Sequence, residues 1–377
     1  MNPGSDQVPP DQVPPGQVLS DQVLDDALAA LDGYGPEFGH GLANHGPMAA
    51  EALVALGRSE DVPAFVTAYR RRLRPAPPPG RALPPGEWEG ALGRVDRWAD
   101  WVALFDRELD AEPFDEVTAR WVPRLAPGSM AAATHGLIRT AHAVRSLCRA
   151  GATPGSDRPA APSRRRDELA RGLAYWAARY QEVPGPPLLV GRDGVEAALA
   201  GLPVLPEEAP REWLIADRVR HLDMVAAPFE QAVAALAPPD DPAAALAQLA
   251  AGGAVAYLAN AEDGDAVALV HAVTAPMALD LLLPVVDGAD RPTVFAYAWQ
   301  AVAALHACFA PRRGAPPAVD DRGGDDEPFD QAVLAAAAAA SGDEHAIKLA
   351  EAAYRAYAAT GHPALPAAAV DAASRLG

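Results

Sequence analysis

A single lysine, Lys348, stands among 31 basic residues, and the 377-residue chain carries only two cysteines, Cys148 and Cys308. Two thiols far apart in the sequence match no metal-ribbon or redox spacing, so a disulfide framework is excluded and reduced, buried thiols are expected. Basic residues are also outnumbered: 31 face 50 acidic ones, a net charge of −19. Such a surface repels phosphate backbones and anionic lipid, which argues against nucleic acid and membrane as partners. No run of eighteen apolar residues escapes interruption by Pro, Gly or charge, and the N-terminus has no basic start leading into an apolar core. A soluble, cytoplasmic protein is the expectation. A glycine fingerprint following a strand, a P-loop and a nucleophile elbow are all missing, and Gly252-Gly253 alone does not make a dinucleotide site.

Present instead are alanine in abundance and apolar positions at helical spacing almost throughout, without convincing alternation of β-branched residues. An all-α fold follows. A Pro-punctuated repeat of Asp-Gln-Val units opens the chain and cannot bury a core, so residues 1–24 are expected to form a disordered arm and 25–377 the helical domain. Pro-rich breaks are expected at 75–85 and 152–163, and an acidic loop at 311–328. Ser129 has the chemistry to cap a helix running to about Ala150 and stopping at Gly151. Pro47 suits the first turn of a helix ending at Gly57, and Ser341 to Glu344 has capping-box spacing for a helix ending near Gly361. Two more helices are read over 265–273, where Pro276 interrupts, and over 293–310.

Nine histidines supply the chemistry, and several sit at the ends or on the apolar faces of these helices. His45 precedes a helix start, where the helix dipole favours a neutral, metal-binding imidazole; simple packing at a helix entry is the alternative. His135 and His142 share a face with Arg139, but seven residues separate the two α-carbons by about 10 Å along the axis. One metal cannot easily take both, so His135 is the preferred ligand, while His142 and Arg139 are assigned to substrate contact or to supporting the ligands. A pair of hydrogen-bonded core histidines is the competing reading. His345 and Lys348 are three apart, close on one helical face. A lysine buried there would be neutral and able to add carbon dioxide, becoming a carbamate ligand of one negative charge. The competing reading is an exposed Lys348 paired with Glu344, the favourable helical order. His271 and His306 lie on apolar helices, where a lone histidine is more often a satisfied core residue, and His40, His221 and His362 carry no signal. Trp98, Trp101 and Tyr354 are candidate pocket aromatics, or ordinary core.

Four blocks in order resemble the questin oxidase-like family: Asn44-His45-Gly46-Pro47-Met48-Ala49-Ala50-Glu51-Ala52-Leu53 with Leu56-Gly57; Thr134 to Arg145 (THGLIRTAHAVR); His271-Ala272-Val273-Thr274; and Glu344-His345-Ala346-Ile347-Lys348-Leu349-Ala350-Glu351-Ala352. The resemblance implies oxidative ring opening of anthraquinone-type aromatic polyketides with molecular oxygen. It also implies non-haem Fe(II) held by His45, His135, His271 and His345, with Lys348, carboxylated, as the anionic ligand; His306 remains a possible substitute for His271. Some members of the family are instead described as NADPH-using, Baeyer–Villiger-like monooxygenases, and that alternative stays open. A third reading is a non-enzymatic helical scaffold, which wide separation of His45 from His345 would favour.

Overall fold

A computed structural model describes residues 15–84, 86–151, 163–261, 264–312 and 330–377. The described fold is all-α, apart from a two-residue antiparallel pairing of Glu37–Phe38 with Leu42–Ala43. Its helices are α1 (Pro15–Leu31), α2 (Gly46–Ala55), α3 (Val62–Tyr69), α4 (Trp98–Ala111), α5 (Phe114–Leu125), α6 (His135–Arg149), α7 (Ser163–Ala178) and α8 (Val195–Ala200). There follow α9 (Ile215–Val219), α10 (Ala226–Ala234), α11 (Pro242–Asn260), α12 (Ala266–Leu282), α13 (Arg291–Phe309), α14 (Gln331–Ser341), α15 (Glu344–Thr360) and α16 (Ala364–Leu376).

Helices without a polar face must lie inside, and α12 and α13 are buried along nearly their whole length. α12 is the hub, packing on α6, α11, α13 and α15. By length and composition, Pro242–Asn260 and Ala266–Val285 could cross a membrane, but 83% of the second's most apolar stretch is buried within the protein, the environment of a core helix. A smaller core, built on Leu24, Leu28, Leu53, Val62, Phe65 and Tyr69, unites α1, α2 and α3 and reaches Ile347 of α15. α2 thus stands between this layer and the main core, against both α6 and α15.

Several sequence expectations need correction. Residues 15–24 belong to α1 rather than to an arm: Leu24 is 1% exposed, and Arg165 donates to Asp21 and Asp25. The remainder of the expected arm, 1–14, lies outside the described residues, as do 152–162 and 313–329. Pro276 does not interrupt its helix; α12 runs through it. On α11, Gly253 packs against this stretch so closely that a β-carbon would sit 2.5 Å from the Ala272 carbonyl oxygen, the acceptor that a proline at 276 leaves without its usual donor. Cys308 is buried, but Cys148, in the last turn of α6, is exposed. Trp98 and Trp101 are core residues, and Trp101 packs in an aromatic cluster with Phe105 and Trp121.

Candidate metal centre

Three of the four imidazoles owe their placement to helix ends. His45 is the residue before α2, with Pro47 in the first turn and Gly57 (φ +77°) after the C-terminus, as the sequence suggests. Its backbone N–H donates to the Tyr69 hydroxyl at 2.8 Å, which docks the start of α2 on α3. His345 is in the first turn of α15, capped by Asp343, whose carboxylate accepts from the His345 and Ala346 amides. This cap replaces the expected capping box, since the Ser341 hydroxyl accepts instead from the Asp343 amide; the predicted C-terminus holds, with Gly361 at φ +66°. One turn further on, Lys348 faces the same way as His345.

His135 is placed by a feature the sequence does not announce. Ser129 caps no long helix; a turn intervenes in which Ala132, Ala133 and Thr134 all take positive φ, at 49°, 58° and 71°, and α6 begins only at His135. Left-handed backbone costs an ordinary L-residue about 1 kcal/mol or more, and three in succession mark a conformation imposed by its surroundings. Its effect is to bring the Ala132 carbonyl onto Nδ1 of His135. His271, in mid-α12 and 0% exposed, is fixed in the same manner by the Val267 carbonyl, 2.8 Å from its Nδ1.

All four rings meet. Nε2 of His135 lies 2.5 Å from Nε2 of His45 and 3.1 Å from Nε2 of His271. The His345 ring centroid is 4.6 Å from that of His45 and 5.9 Å from that of His271. Donor nitrogens of His45, His135 and His345 fall within 4.8 Å of one another. An acceptor stands at Nδ1 of three of them, Glu344 at His45 (3.3 Å), Ala132 O at His135 and Val267 O at His271, and the Asp343 carboxylate lies 3.5 Å from Nδ1 of His345. An imidazole donating through Nδ1 carries its lone pair on Nε2. Lone pairs held this close repel unless a cation lies between them, and adjacent nitrogen donors about 2.0–2.1 Å from one ion would be about 3 Å apart.

Electrostatics favour that state. Burial, reinforced by the positive charge of Lys348 and by the neighbouring rings, holds His45 and His271 well below the ordinary histidine range. Burial and the adjacent imidazoles do the same for His135. Lys348 is 1% exposed, and its Nζ has no hydrogen-bond partner among the described residues. Burial lowers its amine to about 8, against the pull of Glu344 and Asp343. The exposed Lys348–Glu344 ion pair is therefore not formed. The Glu344 carboxylate is turned to Arg72, whose Nη2 donates at 2.7 Å, and to His45.

Arg139 and His142 are not delivered to the rings. Arg139 is buried in a two-point pair with Glu168 on α7 (2.6 and 2.9 Å), and His142 Nδ1 lies 2.7 Å from Glu51. The void they share has a volume of about 10 Å³, room for one water and no substrate. His306 lines a separate groove of about 1450 Å³ bounded by α8, α11 and the ends of α13 and α15, so His271 rather than His306 joins the cluster. No protein-family model matches the chain, and no curated protein is similar to it.

Glu344, Arg72 and Tyr69 are the supporting residues that sequence reasoning missed. Glu344 had a visible signal, adjacency to His345, but was read as a partner for lysine. Arg72 had none, being 272 residues away from the carboxylate it binds.

Proposed function

We propose that the chain is a non-haem iron(II)-dependent oxygenase that cleaves a ring of an anthraquinone-type aromatic polyketide. The observation that carries the metal part is the convergence of four imidazoles, three of them with an acceptor at Nδ1, beside a buried amine that has no hydrogen-bond partner among the described residues. His45, His135, His271 and His345 would hold the ion through neutral nitrogens. Lys348 in its neutral form would add carbon dioxide, forming one N–C bond and releasing one proton, to supply an anionic oxygen. Neutral imidazoles with one such anion suit divalent iron. The choice of oxygen chemistry and of substrate class is supported by the resemblance of the four sequence blocks to questin oxidase-like enzymes.

When bound, iron(II) supplies the redox chemistry with oxygen that amino-acid side chains lack. The protein's own part is to exclude water and hold the donors: His45, His135 and His271 are at most 6% exposed, and the His345 side chain is the most open of the four at 13%. Substrate would approach from that side. Asp343 caps the first turn of α15 that carries His345, and the left-handed turn before α6 sets the Ala132 carbonyl against His135.

The test is anaerobic loading followed by elemental analysis and turnover of a reduced anthraquinone under oxygen. One iron per chain is expected, with activity lost on chelation and restored by Fe(II). Full turnover by metal-stripped protein would falsify the reading, and turnover requiring added NADPH without bound iron would select the Baeyer–Villiger alternative.

A further inference from the structure

Glu344 lies four residues before Lys348 on α15, an order and spacing at which a carboxylate and an ammonium ordinarily pair. Here they do not. Oε1 of Glu344 accepts from Arg72 at 2.7 Å and lies 3.3 Å from Nδ1 of His45, while Nζ of Lys348 has no hydrogen-bond partner among the described residues. Glu344 has a 6% exposed side chain and Arg72 a 46% exposed one, so the arginine reaches in from the surface to a nearly buried carboxylate. Its own position is fixed by stacking: the guanidinium lies 4.4 Å from the Tyr69 ring centroid and 5.3 Å from that of Phe38. Tyr69 in turn accepts the His45 amide.

We propose that Arg72 is a positioning residue for the metal centre: it draws Glu344 onto His45 and away from Lys348, leaving the amine free to become a ligand. The inference rests on the metal-centre reading for its consequence, though not for the ion-pair exchange itself. Remove the guanidinium, and Lys348, four residues on along α15, is at the spacing to pair with Glu344. The ion pair then forms within α15, His45 loses the acceptor at Nδ1, and two ligands are compromised by one surface substitution. Loss of such supporting partners typically weakens metal binding 10- to 100-fold.

The chain's single lysine makes the exchange directly readable. Full-length protein labelled with 13C-lysine gives one side-chain set, whose 13Cε resonance reports the environment of Lys348 without any metal. At fixed pH, Arg72→Ala should shift that resonance, and Arg72→Ala/Glu344→Gln should return it toward the wild-type position, because glutamine cannot form the ion pair. Co(II), followed by its visible absorption, is the metal probe. Arg72→Ala should bind it at least tenfold more weakly, and the double variant should recover a measurable part of the loss. A resonance that does not move in Arg72→Ala, or a double variant binding no more tightly than the single, would overturn the proposal. Should the resonance move and return as expected while wild-type protein binds no Co(II), the exchange stands and the metal-centre reading fails. Thermal melts of each variant separate these outcomes from unfolding, and Arg72→Lys, which keeps a cation at the surface, should bind more tightly than Arg72→Ala.

Discussion

Arg145 grips Glu51 at two points, Nε to Oε1 at 2.9 Å and Nη2 to Oε2, and so joins α6 to α2. Its remaining nitrogen, Nη1, donates to Glu351 of α15, which accepts as well from Arg355; Arg355 reaches Asp280 of α12 at 2.9 Å. The chain of charges therefore ties together the same four helices, α2, α6, α12 and α15, that carry or follow the proposed ligands. Removing one member strands its buried partner, which typically costs about 3–5 kcal/mol. Arg145→Met is expected to lower unfolding free energy by that order in urea titrations and to reduce iron content below one per chain. A variant with unchanged stability would show that the helices are held by apolar packing alone.

The same network sets an acid limit. Burial tends to raise the Glu51 carboxyl, but the Arg145 guanidinium and the His142 hydrogen bond prevail and hold it at about 2 instead of 4.5. A carboxyl lowered on folding contributes stability that is fully present above its unfolded value, near 4.5, and is lost as pH falls toward 2. The stability difference between wild type and Glu51→Gln should accordingly be largest above pH 5 and shrink steadily below pH 4. Melting temperatures collected from pH 2 to 7 provide the check, and a difference that is flat across this range would contradict it.

Lys348→Met separates folding from function. The amine is 1% exposed with no hydrogen-bond partner among the described residues, so a thioether of similar length relieves a desolvated polar group. Metal-free Lys348→Met is expected to be more stable than wild type by about 1–3 kcal/mol. Its iron content should fall to background. If instead it is less stable, the amine has a role in holding the fold that the structure does not reveal.

Helix ends were legible in the sequence wherever the signal is local. Pro47, Gly57 and Gly361 act on neighbouring backbone, and the structure has them where the residue chemistry puts them. Misreadings arose wherever a distant partner decides. Pro276 looks like a break, yet α12 runs through it, buried against α11, whose Gly253 closely approaches the Ala272 carbonyl. The left-handed turn at Ala132 to Thr134 uses residues that do not prefer that region, so composition gives no hint of it. Spacing along α15 predicts a Glu344–Lys348 pair, and only the fold supplies Arg72 as the stronger competitor. The gathering of His45, His135, His271, His345 and Lys348 could not follow from spacing within one helix. It entered through the order of four blocks along the chain, and the fold brings those blocks to one place.

Gly136, next to His135, tests whether the cluster depends on how closely α6 approaches α7. A β-carbon there would lie 2.4 Å from the Trp176 α-carbon and 2.7 Å from its β-carbon, and Trp176 is anchored by donation to the Gly128 carbonyl at 3.1 Å. Backbone cannot swing aside as a side-chain tip can, so the helices must separate. Gly136→Ala is expected to destabilise by about 1–3 kcal/mol, despite alanine's better helix propensity, and to weaken iron binding by moving His135. Gly252→Ala is the matched control: its β-carbon would meet only the tip of Leu199, 2.2 Å away, beside the large groove into which that side chain can turn. Denaturant midpoints and iron titrations of the two variants should therefore diverge. Equal and small effects would mean that the α6–α7 contact is slack and that His135 is held by the strained turn alone.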